Sequence, residues 1–144
     1  MSATNPSVPA SATSTDTTSI RPASLRRTTV LVGLAAAAAV TAVAAAAHAA
    51  GASLEVQGEM IPLAGIAQMV FIGAVIGGLL LAALNRRSDD ARRRFLQVTA
   101  VLTALSCVPS VALPDDVATK ATLVALHLLA AAIIVPVLAR HAHD

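Results

Sequence analysis

The sequence predicts an all-α polytopic membrane protein, an antiparallel bundle of four transmembrane helices. Of its 144 residues, 56% are hydrophobic and only 12% are charged, whereas an ordinary soluble domain carries about 25% charged residues. The hydrophobic residues are almost all Ala, Leu, Val and Ile, and they gather into four long uncharged runs. Each run has the roughly 20 residues that a helix needs to cross a hydrocarbon core of ~30 Å.

The runs divide the chain into a tail and a membrane domain. Residues 1–25 are rich in Ser, Thr, Ala and Pro, which predicts a disordered cytoplasmic tail. The membrane domain covers residues 26–140, and residues 141–144 form a short cytoplasmic tail. The predicted spans are about 28–50, 61–84, 93–113 and 117–139. Strands are disfavoured because the runs are too long, lack period-two alternation and are too few to close a membrane barrel.

Span 1 has two interpretations, a retained helix or a cleaved signal peptide. Arg26 and Arg27 precede an Ala-rich stretch, and Ala47-His48-Ala49 resembles a small-x-small cleavage site. The uncharged run is longer than the apolar core of a signal peptide, which has about 7–15 residues, and three further spans follow it. Retention is therefore favoured, and cleavage would leave the remaining topology unchanged.

Spans 2 and 3 carry local signals of packing and capping. Gly73 and Gly77 form a GxxxG motif, which allows close helix packing either inside the bundle, with span 1 the natural partner, or across a dimer interface. Ser88, followed by Asp89 and Asp90, predicts an N-cap for span 3.

The charges predict the orientation. The nine arginines precede span 1, lie between spans 2 and 3, and follow span 4. The two other connections contain Glu55, Glu59, Asp115, Asp116 and the single lysine, Lys120. By the positive-inside rule, we expect both termini and the arginine-rich connection to lie in the cytoplasm. The strong bias for Arg over Lys and the high Ala content resemble those of proteins from high-GC bacteria, so the expected location is the bacterial cytoplasmic membrane.

Four polar residues fall at similar depth in the predicted spans. Counted inward at 1.5 Å per residue, Thr41, Gln68, Ser106 and His127 lie within about one helical turn of the same level. They form a candidate intramembrane polar layer. One interpretation is hydrogen bonding that fixes the register of the helices; the other is a substrate or proton site around His127, because an ionisable group within a span is costly and often functional.

The sequence argues against the other common function classes. It contains no nucleophile constellation, phosphate-binding loop or metalloprotease motif, and its loops are too short for a catalytic domain, so an enzyme is not expected. His48 and His127 differ in depth, which argues against bis-histidine haem ligation. Neither the lone Cys107 nor the pair His141 and His143 predicts a metal site or another cofactor. Without aromatic residues among the arginines, nucleic acid is not an expected partner.

The chain resembles a family of small four-span membrane proteins of unknown function found mainly in actinobacteria. The resemblance rests on residues 61–63 (Ile-Pro-Leu), the arginine-rich turn, residues 102–106 (Leu-Thr-Ala-Leu-Ser) followed by Pro109, and His127. It implies a topology and marks Ser106 and His127 as recurring features without roles.

Two functions follow from these observations. The leading hypothesis is a non-enzymatic structural or interaction module of the cytoplasmic membrane, whose partners are the lipid bilayer and a second copy of the chain or another membrane protein. The alternative is a small transporter or channel component with a polar site around His127.

Overall fold

A computed structural model gives the fold and describes residues 22–114 and 116–143. The described residues form four helices and one short hairpin, in the order α1 (Pro22–Ala49), β1 (Glu55–Val56), β2 (Glu59–Met60), α2 (Leu63–Arg87), α3 (Ala91–Ala112) and α4 (Val117–Ala139). All four helices are long and apolar enough to cross a membrane by length and composition. The prediction of four such helices is confirmed.

Helix α1 begins earlier than the sequence predicts. It starts at Pro22, within the predicted tail of residues 1–25. Proline suits a first helical turn because its missing N–H would have no partner there. Leu25 is buried in the core, so the added turn also buries apolar surface. The remainder of the predicted tail, residues 1–21, lies outside the described residues.

The connection between α1 and α2 contains an antiparallel hairpin that the sequence pattern does not predict. Gln57 and Gly58 have φ values of 55° and 80°, the positive values that a type I′ turn requires at both central positions. Leu54, just before the hairpin, also has a positive φ of 51°. Its side chain is only 1% exposed and packs in a cluster with Val40 and Leu126, so core packing holds this strained residue in place.

The helices pack as antiparallel neighbours in an uneven way. Helix α1 packs extensively on α2 and also on α4, and α3 packs mainly on α4. Contact between α2 and α3 is sparse. One core cluster, which includes Leu81, Phe95 and Leu138, lies near the arginine-rich connection, and the cluster around Leu54 lies near the hairpin. These two regions are called the arginine end and the hairpin end.

The closest helix packing is between α1 and α2. A Cβ placed on Gly78 would lie 2.6 Å from Cγ2 of Thr29, and one placed on Gly33 would lie 3.0 Å from Cβ of Ala74. The two backbones therefore approach each other more closely than larger side chains would permit, as is common between membrane helices. The predicted neighbour of span 2 is span 1, and the structure makes this contact through Gly33 and Gly78.

At the arginine end, the C-terminal residues are hydrogen-bonded to the helices. The Asn85 amide donates to the carbonyl of His141 (2.9 Å) and accepts from the N–H of His143 (3.2 Å). The N–H of Arg92 donates to the carbonyl of His143 (3.1 Å). Ser88, the predicted N-cap of α3, instead ends α2, where its N–H bonds the carbonyl of Leu84. Asp90 takes the N-cap position of α3.

At the hairpin end, Asp116 caps α4. Its Oδ2 accepts hydrogen bonds from the N–H (2.9 Å) and the hydroxyl (3.1 Å) of Thr119. The backbone bond from Thr119 lowers the pKa of Asp116 below its ordinary value, because hydrogen bonds favour the charged carboxylate. Since the Thr119 hydroxyl donates to Asp116, the Ser53 hydroxyl 3.1 Å away donates to Thr119. This chain of bonds joins the α1–β1 loop to α4.

The α1–α2 contact predicts opposite effects for two alanine substitutions on α2. Gly78→Ala should destabilise the protein by about 1–3 kcal/mol, because its methyl group would overlap the Thr29 side chain. Gly73→Ala should leave stability unchanged or raise it by up to roughly 1 kcal/mol, because its methyl group would meet no side chain and no neighbouring helix within 4 Å. Thermal unfolding in detergent micelles, followed by circular dichroism, measures both.

The control is Thr29→Ala, which should partly restore the stability of Gly78→Ala by making room for the methyl group. Equal effects of Gly73→Ala and Gly78→Ala, with no rescue by Thr29→Ala, would contradict a close contact between Gly78 and Thr29.

Candidate functional site

A groove of about 770 Å³ lies between α2 and α3, with α4 as its floor. It exists because α2 packs mainly on α1 whereas α3 packs mainly on α4. Ile61 lines it towards the hairpin end, and the fully buried Phe95 lines it towards the arginine end. The volume falls in the range of about 300–1,000 Å³ that is usual for small-molecule sites.

The α2 wall of the groove contains three glycines. Gly65, Gly73 and Gly77 all line it. A Cβ on Gly77 would lie 3.3 Å from the side chain of Leu138, but a Cβ on Gly73 would have no atom within 4 Å. Glycine inside a helix is unfavourable by about 1 kcal/mol relative to alanine. At position 73, contacts among the described residues do not require a glycine. Of the two GxxxG glycines, Gly77 therefore packs on α4 and Gly73 faces open space.

The α3 wall carries a stripe of hydroxyl groups. Thr99, Thr103 and Ser106 line the groove, and Ser110 continues the same helical face one turn further on. Thr99 donates its hydroxyl proton to the carbonyl of Phe95 (2.7 Å), and Ser106 donates to that of Thr103 (2.8 Å). Because these protons are bound to the helix's own carbonyls, the hydroxyl oxygens of Thr99 and Ser106 can only accept further hydrogen bonds.

His127 lies on the α4 side of the groove, and its hydrogen bonding defines which ring nitrogen can accept. Its Nδ1 is 2.8 Å from the carbonyl oxygen of Leu123. A carbonyl only accepts hydrogen bonds, so Nδ1 carries the proton, and in the neutral ring Nε2 is an acceptor. Nδ1 is also 3.5 Å from the hydroxyl oxygen of Ser110. Nε2 has no hydrogen-bond partner among the described residues.

The structure brings together two of the four residues of the candidate polar layer. Ser106 and His127 line the groove, whereas Thr41 and Gln68 are absent from the described residues that line it. The hydroxyl of Thr41 is buried without a hydrogen-bond partner among the described residues, and Gln68 is exposed on α2. Counting along the chain gives the depth of a residue, but the direction in which a side chain points depends on how each helix is rotated in the packing.

Sequence reasoning identified Ser106, with Thr103 as a further hydrogen-bonding candidate, but missed Thr99 and Ser110 and therefore the continuous hydroxyl stripe. The signal was present as Thr or Ser at positions 99, 103, 106 and 110, a spacing of four, three and four residues that keeps one helix face polar. The open position of Gly73 has no sequence signal of its own, because a GxxxG motif does not reveal which helix it contacts.

The other candidates considered in the sequence take no part in the groove. His48 bonds the backbone of its own loop, with Nδ1 3.1 Å from the carbonyl of Ala52. His141 and His143 are held at the arginine end, and Cys107 is half-buried in α3. Within the described part of the chain, no three His, Cys, Asp or Glu residues cluster in a way that could hold a metal ion.

These features define a small helical protein with four helices suited to crossing a membrane, compatible with a multi-pass membrane protein, and with a groove along its side. The chain belongs to the family of unknown function DUF6069, which matches residues 20–144 and so includes all four helices. Neither a curated protein nor a solved structure is significantly similar to it. The expected resemblance to a family of unknown function is confirmed; its actinobacterial origin stays a prediction.

The geometry at His127 predicts its tautomer. In its neutral form the ring should carry its proton on Nδ1, because Nδ1 donates to the carbonyl of Leu123. Nitrogen-15 NMR of histidine-labelled protein in bilayers, recorded at a pH where this ring is uncharged, should therefore show a protonated Nδ1 and an unprotonated Nε2, with His127→Gln used to assign the signals. A ring protonated at Nε2 alone would contradict the geometry.

Proposed function

We propose that the protein is a non-enzymatic integral protein of the cytoplasmic membrane, a four-helix antiparallel bundle that acts as an interaction module through the groove between α2 and α3. The observation that carries the proposal is the open position of Gly73. This glycine lies in the interior of α2, and the described residues leave the space beside it empty. A side of a membrane helix that no neighbouring helix covers is suited to a partner within the bilayer.

The composition of the groove supports binding. Glycines among the larger apolar residues of the α2 wall leave space for close approach, and hydroxyl groups on the other wall can form hydrogen bonds within the bilayer. Both features are typical of surfaces that bind other molecules between membrane helices. In an interaction module, where water does not reach mid-depth, lipid, a ligand or another helix fills the groove.

The charge distribution supports an orientation with both termini in the cytoplasm. The arginine-rich connection and both ends of the described chain lie at the arginine end, while Glu55, Glu59 and Asp116 lie at the hairpin end. The positive-inside rule places loops rich in arginine on the cytoplasmic side of the membrane. In this orientation the hairpin faces the outside of the cell.

The alternative function is a small transporter or channel component. It is favoured by one observation, namely that His127, Thr103 and Ser106 all line the same groove. Such a component needs water or solute to reach these residues, whereas an interaction module keeps them in contact with lipid or a partner. Access by water therefore separates the two functions.

Cysteine labelling in intact cells tests both the function and the orientation. In a Cys107→Ser background, Thr103→Cys and Ala131→Cys place a thiol in the groove, and Gln57→Cys places one in the exposed turn of the hairpin. A membrane-impermeant maleimide should label position 57 rapidly and leave positions 103 and 131 unlabelled. Labelling of the groove at a rate near that of position 57 would overturn the interaction function in favour of a water-filled pathway.

A further inference from the structure

We infer that the groove binds a neutral, membrane-soluble alcohol, a long apolar chain whose hydroxyl group donates a hydrogen bond to Nε2 of His127. This inference rests on the proposed function, because it names the class of ligand for the same groove. Four properties of the groove lead to it: the acceptor character of its polar groups, its lack of charge, its shape and its depth.

The polar groups of the groove mostly accept hydrogen bonds. In its neutral form the His127 ring has Nε2 as its acceptor, since its proton is held at Nδ1 by the carbonyl of Leu123. Thr99 and Ser106 donate their protons to carbonyls of α3 and leave only oxygen lone pairs. The hydroxyl of Thr103, which makes no hydrogen bond with the described residues, can donate or accept. A ligand that satisfies Nε2 must therefore bring a donor.

The donor belongs to a neutral group. No charged side chain occurs among the described residues that line the groove. A bare ammonium or carboxylate at this depth would pay a large desolvation cost without an opposite charge nearby. A hydroxyl group brings a donor without that cost, and its own oxygen can accept from Thr103 or from a second molecule.

The rest of the groove fits an apolar chain. From His127 towards the arginine end it is lined by Gly73, Ile76, Leu80, Ala130 and Ile134. His127 and Ile134 are two helical turns apart, about 10 Å along α4. The absent side chain at position 73 leaves room for the chain against α2. The ligand therefore has its hydroxyl towards the hairpin end and its chain towards Phe95.

The depth of His127 gives selectivity over ordinary lipid. The ring lies roughly 10 Å inward of Lys120, two helical turns along α4. A phospholipid tail can fill the groove, but it leaves Nε2 without a partner in a medium that has no water. An alcohol provides the same apolar contact and adds the missing hydrogen bond. The hydroxyl group should therefore raise occupancy relative to the same chain without it.

Photolabelling of the full-length protein in liposomes tests this difference. The probe is hexadecanol with a diazirine in mid-chain, and its matched control is the methyl ether of the same molecule, which lacks the donor. The alcohol should label peptides of α2 and α4 at least several-fold more than the ether, and unlabelled hexadecanol should compete. Equal labelling by alcohol and ether would overturn the inference.

Variants of the groove locate the interaction. His127→Leu should reduce labelling by the alcohol to the level of the ether, and His127→Gln should restore part of it because its side-chain oxygen can accept. Gly73→Leu should abolish labelling by both probes by filling the groove, while Ala83→Leu, at an exposed position of the same helix, should not. Unchanged helical circular dichroism establishes that each variant is folded. Alcohol labelling that survives His127→Leu overturns the inference.

Cross-linking distinguishes failure of the ligand from failure of the function. If neither probe labels the groove, and Gly73→Cys in the Cys107→Ser background cross-links to a second copy or another membrane protein, the alcohol is wrong and the interaction function stands. If neither probe labels and the groove thiols react with impermeant maleimide, both the ligand and the interaction function are wrong.

Discussion

The close contact between α1 and α2 is the constraint on which the rest of the arrangement depends. Thr29 lies where a side chain on Gly78 would be, and Ala74 lies against Gly33. This packing commits one face of α2 to α1. Helix α3 packs mainly on α4. The facing sides of α2 and α3 therefore make few contacts with each other. The groove is a consequence of this pairing.

Both ends of the helices are tied by polar contacts that keep the pairing in place. At the hairpin end, Ser53, Thr119 and Asp116 form a chain of hydrogen bonds from the loop after α1 to the start of α4. At the arginine end, Asn85 bonds the backbone of residues 141 and 143. Neither set of contacts closes the space between α2 and α3, which is bounded at the arginine end by the buried ring of Phe95.

Much of the fold could be predicted from the sequence because the hydrophobic effect dominates it, and the distribution of apolar residues along the chain shows where that effect acts. Long apolar runs predict helices of membrane length, and their limits agree with α2, α3 and α4 within a few residues. Local exceptions arise where packing competes with propensity. Leu25 extends α1 into the predicted tail because its side chain is buried, and Leu54 takes a positive φ for the same reason.

The candidate site was less predictable, because depth along a helix follows from counting whereas rotation about the helix axis does not. Ser106 and His127 have the right depth and the right rotation, and both line the groove. Gln68 has the right depth but is exposed on another face of α2. The tautomer of His127 depends on a hydrogen bond to the carbonyl of Leu123, which the residue types alone do not indicate. That tautomer determines which ring nitrogen of His127 can accept a hydrogen bond.

The proposed function requires the groove between α2 and α3 to be open to the interior of the bilayer. A nitroxide attached at Gly73→Cys in the Cys107→Ser background reports this directly through its collisions with oxygen, which dissolves in lipid, and with a nickel chelate, which dissolves in water. For dilute protein in liposomes, an open groove predicts frequent collisions with oxygen and few with nickel. Infrequent collisions with both reagents would mean that position 73 is packed against protein, and would contradict an open groove.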